Sequence, residues 1–320
     1  MDLSILIPAR NERFLRPTVE DVLRNSTSTV EVLVVADGAP LLEDLPADPR
    51  VHLISLPASI GQRAATNLAA DKAQGRFIMK LDAHCALAPG YDTALIAAAA
   101  KLDPRTVQIP SQKNLHVYNR KCRKCGHKTY QGPLGDPCES CKGPTEMQMV
   151  WKPRRGTTTS GWTFDRDLKF QYKRGAAQPY DEAVPGVTDV MTSLGACFFI
   201  ERAWYLELGG FDESIGSWGQ YGQELACKAW LSGGRHVCNE NTWFAHFFRV
   251  GGIGFPYPIT AAQQDKARDR SRALWRGNDW PQQTRPLRWL VDKFWPIPNW
   301  SEEDRQALDA SLEPVAVVSE

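Results

Sequence analysis

Apolar positions in the first hundred residues fall into short runs separated by amphipathic stretches. Leu3–Ala9 is one such run, closing around Pro8. Val30–Ala36 is β-branched and almost wholly apolar, as a strand covered on both faces must be, and Asp37-Gly38 ends it. Val51–Leu56 alternates as a third strand, and Arg76–Leu81 reads as a fourth. Between them, Gln62–Gln74 sets Ala65, Leu68, Ala69 and Lys72 at helical spacing and stops at Gly75. Thr18–Leu23 is weakly helical and Asp92–Leu102 is a helix. This alternation predicts an α/β fold with a mostly parallel sheet flanked by helices. Ligands of such sheets bind beyond the carboxyl ends of the strands, where Asp37, Asp82 and His84 fall.

The pattern breaks over 113–180, which is polar and rich in Gly, Pro and Lys. It returns at Gly195–Ile200 (strand), Glu201–Leu208 (helix), Gln223–Leu231 (helix) and Thr242–Phe248 (strand). The expected organisation is therefore 1–112 as one half of a domain, 113–180 as an insertion, 181–270 as the second half and 271–320 as a C-terminal segment. Five of the eleven tryptophans (Trp275, Trp280, Trp289, Trp295 and Trp300) fall in that last segment. They are expected to pin an extended chain to the main body, since each buries a large area. The longest apolar stretch, Ala94 to Ala100, is far below the roughly 18 residues of a membrane helix. With a strand and no basic leader at the N-terminus, the expectation is a soluble cytoplasmic protein with no membrane partner.

Charge changes the picture. The formal net charge of the 320 residues is +1, but residues 113–174 hold eight Lys and six Arg against five acidic side chains. A basic middle thus sits in an acidic frame. Such asymmetry marks either a polyanion-binding element or a solvated face.

Four of the eight cysteines lie in that middle, as Cys122-x2-Cys125-x12-Cys138-x2-Cys141. Two such knuckles can bring four thiolates onto one tetrahedral zinc ion, closed and therefore structural. The resulting zinc ribbon either braces the insertion or presents Arg120, Lys121, Arg123, Lys124 and Lys128 to phosphates. Cys85, Cys197, Cys227 and Cys238 read as buried thiols. A second metal signal is Asp82-Ala83-His84, two ligands one residue apart at a strand end, whose oxygen and imidazole suit Mn²⁺ or a relative such as Mg²⁺. His246, among aromatics near the end of another apolar strand, is a third candidate and equally a core histidine.

Taken together, these residues resemble the A-type nucleotide-sugar glycosyltransferases of family 2, and more closely the polypeptide N-acetylgalactosaminyltransferases. Ser4-Ile-Leu-Ile-Pro-Ala-Arg-Asn-Glu12 is similar to the opening strand and turn of that superfamily. Val34-Val-Ala-Asp-Gly38 is similar to its nucleotide-binding aspartate motif, and Asp82-Ala-His-Cys85 to its metal-binding segment. Gly209-Gly-Phe-Asp-Glu213 with Trp218-Gly, Glu224-Leu and Trp230-Leu-Ser-Gly-Gly234 resembles the acceptor-side motif. Ala245-His-Phe-Phe-Arg249 resembles the segment that supplies the third metal ligand, and Phe255-Pro256 falls where the family has a mobile loop. The resemblance covers about 1–112 and 186–280.

It implies a nucleotide-sugar donor, UDP-linked, bound by Ala9, Arg10, Glu12, Asp37, Arg63 and Asp82. It implies a Mn²⁺ or Mg²⁺ ion on Asp82, His84 and His246 that neutralises the departing diphosphate. One departure stands out. Many family 2 enzymes carry a Glu-Asp pair just after Trp-Gly, but here Tyr221 and Gly222 occupy those positions; Glu224, one helical turn later, is then either the catalytic base or a structural glutamate, Asp212 is the other candidate, and a retaining enzyme needs no conventional base. Trp218, Arg123, Lys124 and Arg249 are the expected acceptor contacts. The basic insertion makes nucleic acid the expected acceptor, in a reaction like that of phage-type enzymes that glycosylate hydroxymethylated pyrimidines in DNA. Trp151, Trp162, Phe164, Phe170 and Tyr172 would stack on bases or form the insertion's own core. The alternatives are a polysaccharide or protein hydroxyl acceptor with a purely structural ribbon, or a non-catalytic nucleic-acid-binding protein on a transferase scaffold.

Overall fold

The computed structural model describes residues 1–172, 178–249 and 252–308. Its first third runs β1 (Leu3–Ala9), α1 (Leu15–Asn25), β2 (Val30–Ala36), β3 (Val51–Ser55), α2 (Gln62–Lys72), β4 (Phe77–Leu81), β5 (Cys85–Leu87) and α3 (Tyr91–Ala99). The middle contributes β6 (Thr106–Cys122), β7 (Lys128–Tyr130), β8 (Thr145–Pro153), β9 (Trp162–Phe164) and β10 (Phe170–Tyr172). The last part adds β11 (Val187–Asp189), β12 (Cys197–Glu201), α4 (Arg202–Glu207), α5 (Tyr221–Leu231), β13 (Arg235–His246), α6 (Ala261–Arg276), α7 (Leu287–Phe294) and α8 (Glu302–Gln306).

The central sheet has the order β11-β13-β6-β12-β4-β1-β2-β3. β4, β1, β2 and β3 are mutually parallel, and β13 is parallel to β6. Antiparallel β12 joins the two groups. Every residue of β1, β2 and β4 is buried, which is why these strands read as unbroken apolar runs. The sheet is mixed α/β, mostly parallel and flanked by helices, as the alternation predicted.

Two regions differ from the sequence reading. Strand β6 passes residue 113 without interruption: its first half pairs with β13, and its second half pairs with β7 and β8 and ends at Cys122. Burial alternates along its outer half apart from one irregularity between His116 and Tyr118, but polar residues fill much of it, so composition hid it. The described part of the C-terminal segment, to residue 308, holds the end of α6 with α7 and α8 and is not simply extended chain. Trp275, Trp280 and Trp300 join the main core, with Trp289 and Trp295 packed against it. Trp300 Nε1 also donates to the Phe164 carbonyl at 2.9 Å.

The insertion's aromatics divide in the same way. Trp162 and Phe164 are buried in the main core, and Trp151 packs on Phe14 and donates to Asp21 Oδ2 at 3.1 Å. Tyr172 is 45 % exposed, and Phe170 packs partly buried against the main core. Lys173 and Arg174 of the basic stretch, and residues 309–320 of the tail, lie outside the described residues. Cys85, Cys197, Cys227 and Cys238 are buried free thiols, as read from the sequence. Among the described residues no helix is long and apolar enough to cross a membrane.

Candidate active site

The carboxyl ends of β1, β2 and β4 open into a cavity of about 840 Å³. Pro8, Ala9, Arg10 and Glu12 line it after β1, Asp37 after β2, and Asp82 and His84 after β4. The opposite wall comes from the Gly195 segment, the start of α5, the end of β13 and the loop before α6.

Three side chains converge on its floor. His84 Nε2 lies 3.0 Å from His246 Nε2, and His246 Nε2 lies 3.3 Å from Asp82 Oδ2. The convergence follows from topology, because β5 pairs antiparallel with β13 and sets Cys85 opposite His246. Adjacent ligands of an octahedral ion with bonds of about 2.1 Å stand about 3 Å apart, so these spacings fit one cation. Glu12 Oε2 accepts from His84 Nδ1 at 3.0 Å, which presents the Nε2 lone pair to the site. Burial works against ionisation of Glu12, but His84, Arg249 and the Phe14 amide overcome it and hold its carboxyl below the usual range. Burial likewise opposes charge on Asp82, and the Lys80 ammonium with His246 and His84 drives its carboxyl well below that range. Desolvation lowers His246 to about 4, so its imidazole is neutral and available to a metal.

Asp37 is buried, and its carboxylate accepts from Ser59 Oγ at 2.7 Å and from the amides of Ile60 and Gly61 at 2.6 and 3.1 Å. It thereby fixes the loop in front of α2. Gly38 makes this approach possible: at φ +68° it has no room for a Cβ, which would lie 2.1 Å from the Ser59 nitrogen. Arg10 Nη1 reaches the same Ser59 Oγ at 3.2 Å.

Other expected residues are placed elsewhere. Arg63 is 1 % exposed and donates to Glu224 Oε2 at 2.9 Å and to the Gly216 and Gly219 carbonyls, with Tyr221 stacked 4.2 Å from its guanidinium. Glu224 is fully buried, pairs also with Lys228 at 3.2 Å and accepts from the Asp212 amide. Asp212 caps the short turn after it through Ser214. None of these three lines the cavity. Of the two candidate carboxylates, Glu224 is buried between Arg63 and Lys228, in the structural place that was its alternative, whereas Asp212 is 28 % exposed and lies 3.8 Å from Arg270. One of the two positions of the missing Glu-Asp pair is closed to any side chain in this backbone. A Cβ on Gly222, the second residue of α5, would lie 1.7 Å from the Ser193 carbonyl oxygen, so only glycine fits there.

Trp218 lines the cavity edge-on to Phe255, with ring centroids 6.0 Å apart. Arg249 lines it too, but its guanidinium is held by Glu12 at 2.5 Å, behind His84. Arg123 and Lys124 sit on the first cysteine knuckle, outside the cavity lining, with Arg123 paired to Glu146 at 3.1 Å.

Several lining residues escaped the sequence reading. Lys80 is fully buried within β4, where its ammonium touches Asp82 and donates to the Gly195 carbonyl at 2.9 Å. A lysine in the otherwise apolar run Phe77–Leu81 was the available signal. Gln62 Nε2 donates to Asp82 Oδ1 at 3.0 Å. Gln220, Gln223 and Lys169 complete the far wall, beside Phe170, which the sequence marks as a stacking or core aromatic.

In the insertion, Cys122, Cys125, Cys138 and Cys141 bring their sulfurs within 4.8 Å of one another. The Cys122–Cys141 and Cys125–Cys138 separations are 3.5 and 3.7 Å. Tetrahedral bonds of about 2.3 Å put sulfurs about 3.8 Å apart, so the cluster fits one ion. The Cys125 and Lys124 amides point at Cys122 Sγ and lower that thiol to about 6. Gly143 closes the cage, since a Cβ there would press on Cys141 and Cys122 at 3.3 and 3.4 Å.

A mostly parallel sheet with a carboxylate and two imidazoles at its strand ends defines an A-type, GT-A-like transferase fold. The family model "Glycosyl transferase family 2" matches residues 4–130. The chain is 26% identical over 267 residues to the putative polypeptide N-acetylgalactosaminyltransferase 13 of Drosophila melanogaster, covering 78% of this chain and 42% of that protein. It is 28% identical over 269 residues to polypeptide N-acetylgalactosaminyltransferase 10 of Rattus norvegicus, covering 81% and 39%. The chain thus spans about two fifths of the length of these relatives. It shares its fold with a crystal structure of GalNAc-T7 with UDP, GalNAc and Mn2+, at a TM-score of 0.59 and 19% identity over 86% of this chain and 48% of that one. Residues 4–130 thus match the glycosyl transferase family 2 model, and about four fifths of the chain is homologous to the polypeptide N-acetylgalactosaminyltransferases.

Proposed function

We propose that the protein transfers a sugar from a nucleotide-sugar, UDP-linked, to a hydroxyl, with a divalent ion on Asp82, His84 and His246. The observation that carries this reading is the convergence of those three ligands on the floor of the cavity, beside the loop pinned by Asp37. Mn²⁺ or Mg²⁺ there would neutralise charge on the departing diphosphate. This chain's residues prepare the ground for it: Glu12 orients His84, Lys80 and Gln62 orient Asp82, and Trp218 with Phe255 shields the cavity mouth. Zinc on the four cysteines would brace the end of β6.

A hydroxymethylated pyrimidine in DNA is the finer reading of the acceptor, supported by the basic stretch over 113–174. The names of the curated relatives support a polypeptide hydroxyl instead. Incubation with UDP-sugars and Mn²⁺, with hydroxymethylated DNA and a Ser/Thr peptide as separate acceptors, tests both levels by intact mass. Donor turnover reversed by EDTA supports the transferase, and the acceptor that gains mass identifies itself. No turnover of any donor would overturn it.

A further inference from the structure

The hairpin of β9 and β10 belongs to the inserted region, yet it reaches the cavity. Its turn is tied by Asp165, whose carboxylate accepts from the Asp167 and Lys169 amides at 2.9 Å and whose amide donates to the Lys169 carbonyl at 3.0 Å. At its tip Leu168 is fully buried with φ +58°, a conformation that non-glycine residues seldom adopt. That conformation turns the Leu168 carbonyl toward the start of α5. There it accepts two hydrogen bonds, from Gln220 Nε2 and Gln223 Nε2, each 3.1 Å long.

Because both amides face one carbonyl, both must present their NH2 groups to it, which fixes the orientation of each side chain. The two Oε1 atoms are then the free ends. Gln220 Oε1 is buried without a partner among the described residues, and Gln223, only 4 % exposed, uses its NH2 on the Leu168 carbonyl, so its Oε1 points away from that anchor. Both residues line the cavity. A buried amide oxygen without a partner is costly, and a ligand hydroxyl that donates to it removes the cost.

We propose that Gln220 and Gln223, clamped by the Leu168 carbonyl, form a paired acceptor that reads hydroxyl groups of the transferred sugar, so that the inserted hairpin sets donor specificity. This rests on the transferase reading above. Two oxygens oriented from one anchor suit two neighbouring ring hydroxyls, and they reject an analogue that cannot donate there.

Calorimetric titration of the full chain with saturating Mn²⁺ tests this. The ligands are UDP, UDP-glucose, UDP-galactose, UDP-GlcNAc and UDP-GalNAc, then the 3- and 4-deoxyfluoro analogues of the tightest-binding sugar. Fluorine accepts weakly and cannot donate, so at one or both positions it should weaken binding to the wild type by about tenfold or more. Gln220→Met and Gln223→Met should remove that discrimination while leaving UDP affinity within about twofold, with melting curves to confirm folding. Deoxyfluoro analogues that bind the wild type as tightly as their parent overturn the proposal, even if neither variant folds. So does discrimination that persists in both variants. A chain that binds no UDP in Mn²⁺ overturns the transferase reading itself.

Discussion

His84 and Glu12 form a single unit: Nδ1 of the imidazole meets Oε2 of the buried carboxylate at 3.0 Å, and this leaves Nε2 aimed at His246 and Asp82. Such a carboxylate fixes the tautomer and rotation of a ligand histidine, and its loss costs about 10- to 100-fold in metal affinity. Glu12→Gln is therefore expected to weaken Mn²⁺ binding by about that factor, read by electron paramagnetic titration of free Mn²⁺. Unchanged affinity would show that Glu12 serves only Arg249.

Arg63 and Glu224 predict a different outcome. With 1 % and 0 % side-chain exposure, they form a buried pair that Lys228 joins. Glu224→Gln leaves two buried cations without their carboxylate, and breaking a buried pair costs about 3–5 kcal/mol. Urea unfolding should show a loss of that order. A variant of native stability with only kcat reduced would instead return Glu224 to the role of catalytic base.

Much of the fold was legible because β1, β2 and β4 are buried on both faces, so their apolar runs carried the signal unmixed. The Asp82-x-His84 pair was legible as well, since it needs only local spacing. His246 as its partner came from the family resemblance and not from spacing, because the β5–β13 pairing that delivers it joins residues about 160 positions apart. Glu224 and Arg63 were misplaced for a related reason: charge in a sequence reads as surface or site until a buried partner is seen. The long β6 was concealed by its polar outer half, and the Gln220–Leu168 contact depends on one left-handed leucine that no pattern marks.

Acid should destabilise the protein through His236. It is fully buried, neither ring nitrogen has a hydrogen-bond partner among the described residues, and desolvation lowers it to about 3. An unfolded histidine titrates near 6.5, so between about 6.5 and 3 the unfolded state binds the extra proton. Stability should then fall with falling pH by up to about 1.4 kcal/mol per unit from this group. His236→Leu should flatten the slope by one proton relative to the wild type in metal-free protein, where His246 contributes equally to both. Parallel stability curves for the two proteins would contradict this.

The two metal sites should be separable. Cys138→Ser is expected to abolish bound zinc, one per chain by elemental analysis in the wild type, because a closed cage of four thiolates tolerates no missing ligand. Asp82→Asn should leave zinc at one per chain and remove Mn²⁺ binding. Loss of both metals in either variant would mean that the sites are coupled.

The most direct test of the central claim is UDP release from the UDP-sugar panel as Mn²⁺ is titrated into metal-stripped wild type, Asp82→Asn and His246→Ala. The account predicts saturable, Mn²⁺-dependent release by the wild type, abolished by EDTA and lost in both variants while zinc content stays constant. Release that ignores Mn²⁺, or that survives in either variant, would contradict a catalytic ion held by Asp82, His84 and His246.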